Sequence, residues 1–457
     1  MRRSRQAFHD TLLAGGFRDA LAARTADALQ RCDAALDAAG ASHAGRTAVW
    51  VPGRIEVFGK HTDYAGGRSL LAAVERGFAV RAAPRDDGEV RIGDPVTGMR
   101  CETVLGASGT APDGDWSHYV LTVVRRLALN FPEATRGADI AFVSDLPLAA
   151  GVSSSTALMI SVFLSLAAVN RLDTTTVWQQ HLSSRLDRAG YLGAMEMGGP
   201  YRGLAGLDGV GTLGGSQDQT AILCAQPDHV AQFSWMPVRF DGVVALPRTH
   251  CFVVASSGVL AEKTGSARDE YNRVSLLARH LLATWNHVTV RDDPSLAAAM
   301  DSGPGAPAAL RAMIPAHATP DFDAAALERR LAQFLLETYA LIPAATVALQ
   351  AQDWATFGEV TAASMRGATA LLGNQVAETI ALCALARAHG AVAASAFGAG
   401  FGGSVWALVE ADGAEAFRDT WAATYRRQFP AAGALAMFFT TAAGPCATQW
   451  DDDDPDP

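Results

Sequence analysis

Two periods of apolar spacing run along this chain, and they divide it into helical and extended segments. Residues 1 to about 45 carry Ala, Leu and Arg at helical spacing, with a break at Gly15-Gly16. A short strand is expected over Ala48 to Val51, and a strand-rich stretch over Ser69 to Ala83. Further strands with polar turns follow over Val90 to Val104. Trp116 to Leu129 has the stripe of an amphipathic helix. Ile140 to Val143 is a short strand that feeds a serine-rich turn, and a long apolar helix begins near Ser155. Thr174 to Met197 reads as helix, Gly198 to Gly215 as a glycine-rich loop, and Val243 to Leu246 and Cys251 to Ala255 as strands. A helix is expected around Asp269 to Leu282. Pro294 to Pro320, rich in Ala, Pro and Gly, reads as a mobile connection. Asp323 is a good N-cap for a helix over Ala324 to Ala340, and helices continue to about His389. Strands around Val392 to Ala396 and Val405 to Val409 bracket a last glycine cluster. The mixture predicts an α+β protein of two lobes with a site between them.

Composition narrows the classes. The 457 residues are 49% hydrophobic, enough for two or three domains with real cores. A net charge of -10 without a basic stripe argues against nucleic acid as a partner. Met1 to Ala14 is polar and lacks the sustained apolar stretch of a signal peptide. The apolar run from about Ala157 to Val169 is too short to span a bilayer, so no membrane is expected and a cytoplasmic location is. Cys32, Cys101, Cys224, Cys251, Cys383 and Cys446 form no CxxC or Cys/His metal spacing and read as reduced thiols packed as small hydrophobes. Almost all positive charge is arginine. Lys60 and Lys263 are the two lysines, which draws attention to both because ammonium and guanidinium are not interchangeable.

Three segments carry the candidate chemistry: Pro52-Gly53-Arg54-Ile55-Glu56-Val57-Phe58-Gly59-Lys60-His61-Thr62-Asp63-Tyr64, Leu146-Pro147-Leu148-Ala149-Ala150-Gly151-Val152-Ser153-Ser154-Ser155, and Phe397-Gly398-Ala399-Gly400-Phe401-Gly402-Gly403-Ser404. Small residues let a backbone approach a phosphorylated ligand. The serine turn opens a helix, whose free N–H groups and dipole suit an anion, and its hydroxyls add donors and a possible magnesium ligand; a plain serine-rich cap is the alternative. The turn is neither a GxxxxGK[ST] loop nor a GxSxG elbow. The Gly398 cluster alone is equally a tight strand connection. In the first segment, Arg54 is suited to charge on a transferring phosphoryl group and Asp63 to sugar hydroxyls, with a packed role open for His61. Asp218, between Gln217 and Gln219 at the end of a glycine-rich loop, could orient or deprotonate a hydroxyl, or simply cap the loop.

With these segments in view, the chain resembles the GHMP small-molecule kinases and, within them, the galactokinases, over about Trp50 to Val409. The first segment resembles the galactokinase sugar signature, the serine turn the superfamily's phosphate loop, and the third segment its glycine element. Ser216-Gln217-Asp218-Gln219 resembles the segment carrying the catalytic Asp, and Glu270-Tyr271-Asn272-Arg273 a further element at the sugar site. The resemblance implies an ATP-dependent sugar 1-kinase. Asp218 would act on the anomeric hydroxyl, and Arg54 would stabilise the transition state and hold Asp218 ionised. His61, Asp63 and Tyr271 would contact the sugar. Gly151, Val152, Ser153 and Ser154 would hold the ATP phosphates, Ser155 and Glu196 would bind Mg2+, and Trp116 and Tyr119 would border the adenine. Together with the resemblance, the apolar spacing and the acidic composition of the C-terminus divide the chain into an N-terminal helical segment 1–45, lobes over 46–245 and 246–445, and a disordered acidic tail over 446–457.

Two departures stand out. Galactokinases place at residue 60 a glutamate that accepts from the sugar's C6 hydroxyl, whereas Lys60 can only donate. A sugar altered at C6, such as galacturonate or arabinose, is therefore an alternative to galactose. Ala363-Ser364-Met365-Arg366 stands where galactokinases usually carry a Ser-His pair. A catalytically silent sugar- and ATP-binding regulator on the same fold is a further alternative.

Overall fold

The structure, a computed structural model, describes residues 4–107, 109, 115–147, 151–259 and 268–451. Lys263 and residues 452–457 of the expected tail lie outside the described residues.

Two sheets organise the chain. The first contains β1 (Thr47–Phe58), β2 (Arg68–Pro84), β3 (Glu89–Gly93), β4 (Arg100–Val104), β5 (Ala138–Ser144), β6 (His229–Ser234) and β7 (Arg239–Ala245). The second contains β8 (His250–Ser256), β9 (Ala393–Ala396), β10 (Ser404–Glu410) and β11 (Phe438–Thr441), in the order β11-β8-β10-β9. A last strand, β12 (Thr448–Asp451), returns to the first sheet, which runs β12-β1-β2-β5-β3-β4 with β6 on β2 and β7 on β6.

The expected strand at Ala48 to Val51 is the start of a much longer one. Every residue of β1 is buried, and the strand carries straight through the first motif to Phe58. Such a strand is covered on both faces, which is why its apolar residues run together rather than alternate. The helix Ser154–Val169, apolar on every side, packs on β1 and β2. The helix Asp19–Ala38 lies over β2 and β5, burying Leu21, Ala22, Ala26, Leu29, Cys32 and Leu36, so the N-terminal helices are part of this layer.

Two expectations are corrected. Residues 446–451 are not disordered: β12 pairs antiparallel with β1, Ala48 standing opposite Trp450 and Trp50 opposite Thr448, and Phe17 packs against Trp450. Apolar burial and ladder hydrogen bonds outweigh the tail's acidic composition up to that point. Pro294 to Pro320 is not a loose connection either. It forms the helices Leu296–Asp301 and Ala306–His317, whose Leu296, Met300, Leu310 and Ile314 join a core with Leu281, Trp285, Leu327 and Phe334. Pro307 falls in the first turn, where a proline suits a helix.

The run Ala324–Gln350 is one helical stretch of 27 residues, long and apolar enough by length and composition to cross a membrane. Half of its most apolar window is buried inside the fold. Its middle turn widens to a π-helix at Leu336–Leu341, and its buried Arg330, Gln333 and Glu337 all turn toward the first motif. That polar face marks a core helix.

Candidate active site

Gly53 and Arg54 bring the first two motifs into contact. The backbone N–H of Arg54 donates to Val152 O at 3.2 Å. A Cβ on Gly53 would stand 2.8 Å from that same carbonyl and 2.7 Å from Leu146 Cδ2, so only glycine permits the approach. The Arg54 guanidinium then reaches two partners. Nη1 donates to the Gly151 carbonyl, while Nε and Nη2 each lie 2.8 Å from Asp218 Oδ1. Asp218 Oδ2 accepts from Ser153 Oγ at 2.6 Å.

Local structure fixes each partner. Ser153 is the cap of the apolar helix and sits in the left-handed region at φ 61, a strained position for a serine. Asp218 stands in the first turn of the helix Gln217–Cys224, where the dipole favours a negative charge. Burial works against the charge on Arg54, but Asp218 and Glu56 outweigh it and its pKa stays above the ordinary value. The Phe397 ring lies 5.5 Å from the guanidinium carbon, so the third motif closes over the pair.

A cavity opens beside them, lined by Arg54, Glu56, His61, Asp63, Tyr64, Glu196, Thr212, Gln217, Asp218 and Tyr271 together with Gly214, Gly215, Gly398 and Ala399. His61 Nδ1 is 2.7 Å from the Tyr64 hydroxyl, and its ring centroid is 5.1 Å from that of Tyr271. Asp63 Oδ2 accepts from the backbone N–H of Gln217 at 3.3 Å, tying the end of the glycine-rich loop to the first motif. Gly398 backs the cavity: a Cβ there would stand 2.4 Å from Glu56 Oε1. The structure thus brings Arg54, His61, Asp63, Asp218 and Tyr271 together with the described part of the serine turn. Residues 148–150 of that turn lie outside the described residues.

Lys60 is the exception: the structure does not bring this expected sugar contact to the cavity. It is fully buried and is not among the residues lining the cavity. Nζ donates to Ser364 Oγ at 2.9 Å and lies 5.8 Å from the Phe58 ring centroid. Ser364 Oγ is within 3.0 Å of both Glu337 oxygens, and Glu337 Oε1 accepts from the Gly59 N–H at 3.0 Å. Gln333 Nε2 donates to Lys60 O at 2.9 Å, and Arg330 Nη2 donates to His61 O. A charge this far from water requires partners, and the helical segments Leu336–Leu341 and Trp354–Gly367 supply them. The Ser364 departure and the Lys60 departure therefore belong to one network.

Glu196 lines the cavity, and its Oε2 accepts from Thr156 Oγ1 at 3.1 Å and from Gln219 Nε2 at 2.6 Å. Its hydroxyl partner is thus Thr156, the residue after Ser155. No cluster of three or more His, Cys, Asp or Glu side chains is arranged for a metal among the described residues. Trp116 and Tyr119 do not line the cavity. They sit at the start of the helix Ser117–Asn130, half-buried against the core, with Trp116 edge-on to Phe142 at 6.1 Å. That helix packs beside the one opened by the serine turn.

Sequence reasoning passed over Glu56, Gln217 and Glu337. Glu56 had a signal: two residues from Arg54 along an uninterrupted stretch of β1, it shares a strand face with it. Burial pushes the Glu56 carboxyl above the usual carboxylate range, while Lys60, Arg54 and the Gln217 hydrogen bond act against that rise. Nothing local marks Glu337, which is distant in sequence and approaches only through packing.

Comparison with known proteins agrees with this geometry. Residues 40–84 match the galactokinase galactose-binding signature, residues 118–195 the GHMP kinases N terminal domain, and residues 345–427 the GHMP kinases C terminal model. A galactokinase of Actinobacillus pleuropneumoniae is 37% identical over 26% of this chain, a match spanning 32% of that relative's length. A galactokinase of Halalkalibacterium halodurans is 24% identical over 88% of this chain and 92% of its own. The crystal structure of Lactococcus lactis galactokinase complexed with galactose superposes with a TM-score of 0.73 at 22% identity, over 92% of this chain and 98% of that one. Methanococcus jannaschii mevalonate kinase superposes at 0.53 with 11% identity, over 88% of this chain and all of the other. The fold is that of the GHMP kinases. Within that fold, residues 40–84 carry the galactokinase signature and the chain is similar to galactokinases along most of its length.

Proposed function

We propose that the protein is an ATP-dependent sugar 1-kinase of the galactokinase type, transferring the γ-phosphoryl group of ATP to the anomeric hydroxyl of galactose or a related neutral monosaccharide. The observation that carries this reading is Asp218, gripped by Arg54 and Ser153 where the serine turn meets the cavity lined by His61, Asp63 and Tyr271. One residue thereby faces both halves of the reaction.

Phosphoryl transfer needs positioning and charge stabilisation more than covalent chemistry. Asp218 orients the anomeric hydroxyl and takes up its proton as the phosphorus–oxygen bond forms. Arg54 keeps Asp218 ionised and offers its cation to the charge on the transferring group. The backbone from Gly151 to Ser155 holds the phosphates at the start of the apolar helix. Magnesium ions are usually held by one or two carboxylates together with substrate phosphates. Glu196, facing the cavity beside the serine-turn helix, fits that need with a hydroxyl such as Ser155. The ion would neutralise phosphate charge. His61, Asp63 and Tyr271 would bind the sugar, and Trp116 and Tyr119 the edge of the adenine. Residues 46–245 and 246–445 would form the two lobes. The burial of Lys60 speaks against selection of a C6 carboxylate by its ammonium.

The test is ADP release in the presence of Mg2+ with galactose, galacturonate, arabinose, fucose, glucose and mannose. Turnover with a neutral hexose supports the reading. Sugar-dependent ATP binding without turnover on any of them would sink it in favour of a silent regulator.

A further inference from the structure

We propose that Glu56 positions the substrate and determines specificity: its Oε1 accepts a hydrogen bond from a hydroxyl of the bound sugar. The inference rests on the sugar-kinase reading and names the group that reads the sugar where residue 60 does not.

Glu56 lines the cavity beside Arg54 and Asp218 yet is only 3% exposed. Its Oε2 is occupied, accepting from Gln217 Nε2. The direction of that bond is set by a chain of partners. The Trp235 indole can only donate, and does so to Ser69 Oγ at 3.0 Å; Ser69 Oγ donates in turn to Gln217 Oε1 at 2.6 Å. Gln217 must therefore present its NH2 group to Glu56. Oε1 is left without a hydrogen-bond partner in a buried position. A buried acceptor left unmade is costly, so such a group calls for an explanation. Gly398 keeps the space beside it clear, since any side chain there would meet Oε1.

The surrounding charges fit an acceptor. Lys60 and Arg54 both act on the Glu56 carboxyl as cations, yet the Lys60 ammonium donates to Ser364 and the Arg54 guanidinium to Asp218 and Gly151, so neither takes Oε1. An ionised carboxylate only accepts, and sugar hydroxyls supply donors. A uronic acid would instead bring a second carboxylate against it, so the same residue excludes acidic sugars.

The experiment measures binding of galactose, its monodeoxy analogues and galacturonate by calorimetry, on the wild type and on Glu56→Gln. The variant can keep its bond to Gln217 through the amide oxygen, and then turns an NH2 group toward the sugar. In the wild type, one monodeoxy sugar should bind roughly tenfold to a hundredfold more weakly than galactose, and galacturonate should be rejected. In Glu56→Gln, galactose should weaken by a similar factor and the penalty for that one analogue should vanish. The inference is overturned if the variant weakens galactose and all analogues equally, or leaves galactose binding unchanged. It is also overturned, without any variant, if the wild type binds galacturonate as tightly as galactose. If the wild type binds none of these sugars, the inference is overturned, and the sugar-kinase reading falls with it only if no neutral sugar of the wider panel is turned over; a failure of selectivity alone overturns only the inference.

Discussion

Arg54 and Asp218 share a single oxygen: Nε and Nη2 of the arginine both lie 2.8 Å from Oδ1, leaving Oδ2 for Ser153 at 2.6 Å. The two residues stand 164 positions apart in the chain. Asp218→Asn keeps the shape and removes the charge. It should lower kcat by about 10²–10⁴ while sugar affinity changes little, as ADP release and calorimetry would read. Arg54→Lys keeps the charge but loses the fork that spans Asp218 and Gly151, and kcat should fall by roughly 10²-fold. Activity near wild type in either variant would remove these residues from the chemistry.

Lys60 is a structural cation. Lys60→Met leaves Glu337 and Glu56 without their nearest ammonium, and stability should drop by about 3–5 kcal/mol in urea unfolding. Ser364→Ala, which leaves Nζ and Glu337 without their shared partner, should cost about 1–3 kcal/mol. A stable Lys60→Met with altered sugar preference would contradict the buried placement.

Gly53→Ala puts a methyl group 2.8 Å from Val152 O. The serine turn must then shift from β1 and draw Gly151 away from Arg54. A stability loss of about 1–3 kcal/mol with a disproportionate fall in kcat is expected, from thermal unfolding and turnover measured together.

Glu56 also makes stability depend on pH. Burial, its largest influence, raises its folded pKa above the unfolded value, with Lys60, Arg54 and Gln217 opposing. Between those two values the folded state holds a proton that the unfolded state has lost. Glu56 therefore contributes stability fully below the unfolded carboxylate pKa, and that contribution is lost as pH rises toward the folded one. The slope can reach about 1.4 kcal/mol per pH unit for a single proton. Unfolding free energies across this window should fall with pH in the wild type and be flatter in Glu56→Gln; identical slopes would remove Glu56 as the source.

All six cysteines are free. Burial pushes the Cys383 thiol up to about 12 and raises that of Cys32 further still. Neither should react with iodoacetamide at neutral pH while the protein is folded, and both should react on unfolding, as mass spectrometry would record. Rapid native labelling of Cys383 would show that its site opens.

The sequence by itself determined the local pieces of this protein. Glycines at 53 and 398 announce close backbone approaches, a serine turn before an apolar run announces a helix start, and Asp218 beside a glycine-rich loop announces a candidate acid for orienting a hydroxyl. Each signal depends on neighbours a few residues away, so it survives without a fold. What the tertiary structure decided is direction and company. Lys60 lies within the same motif as His61 and Asp63, yet its ammonium turns from the cavity because Ser364 and Glu337 arrive from helices some three hundred residues later. Glu56 becomes a group of the cavity because β1 continues past its expected end and sets Arg54 and Glu56 on one face. The residues at 448–451 become a strand because β1 presents an open edge for them, a partner no composition reveals. Side-chain direction and long-range pairing are settled by register and packing, and these exist only once distant segments meet.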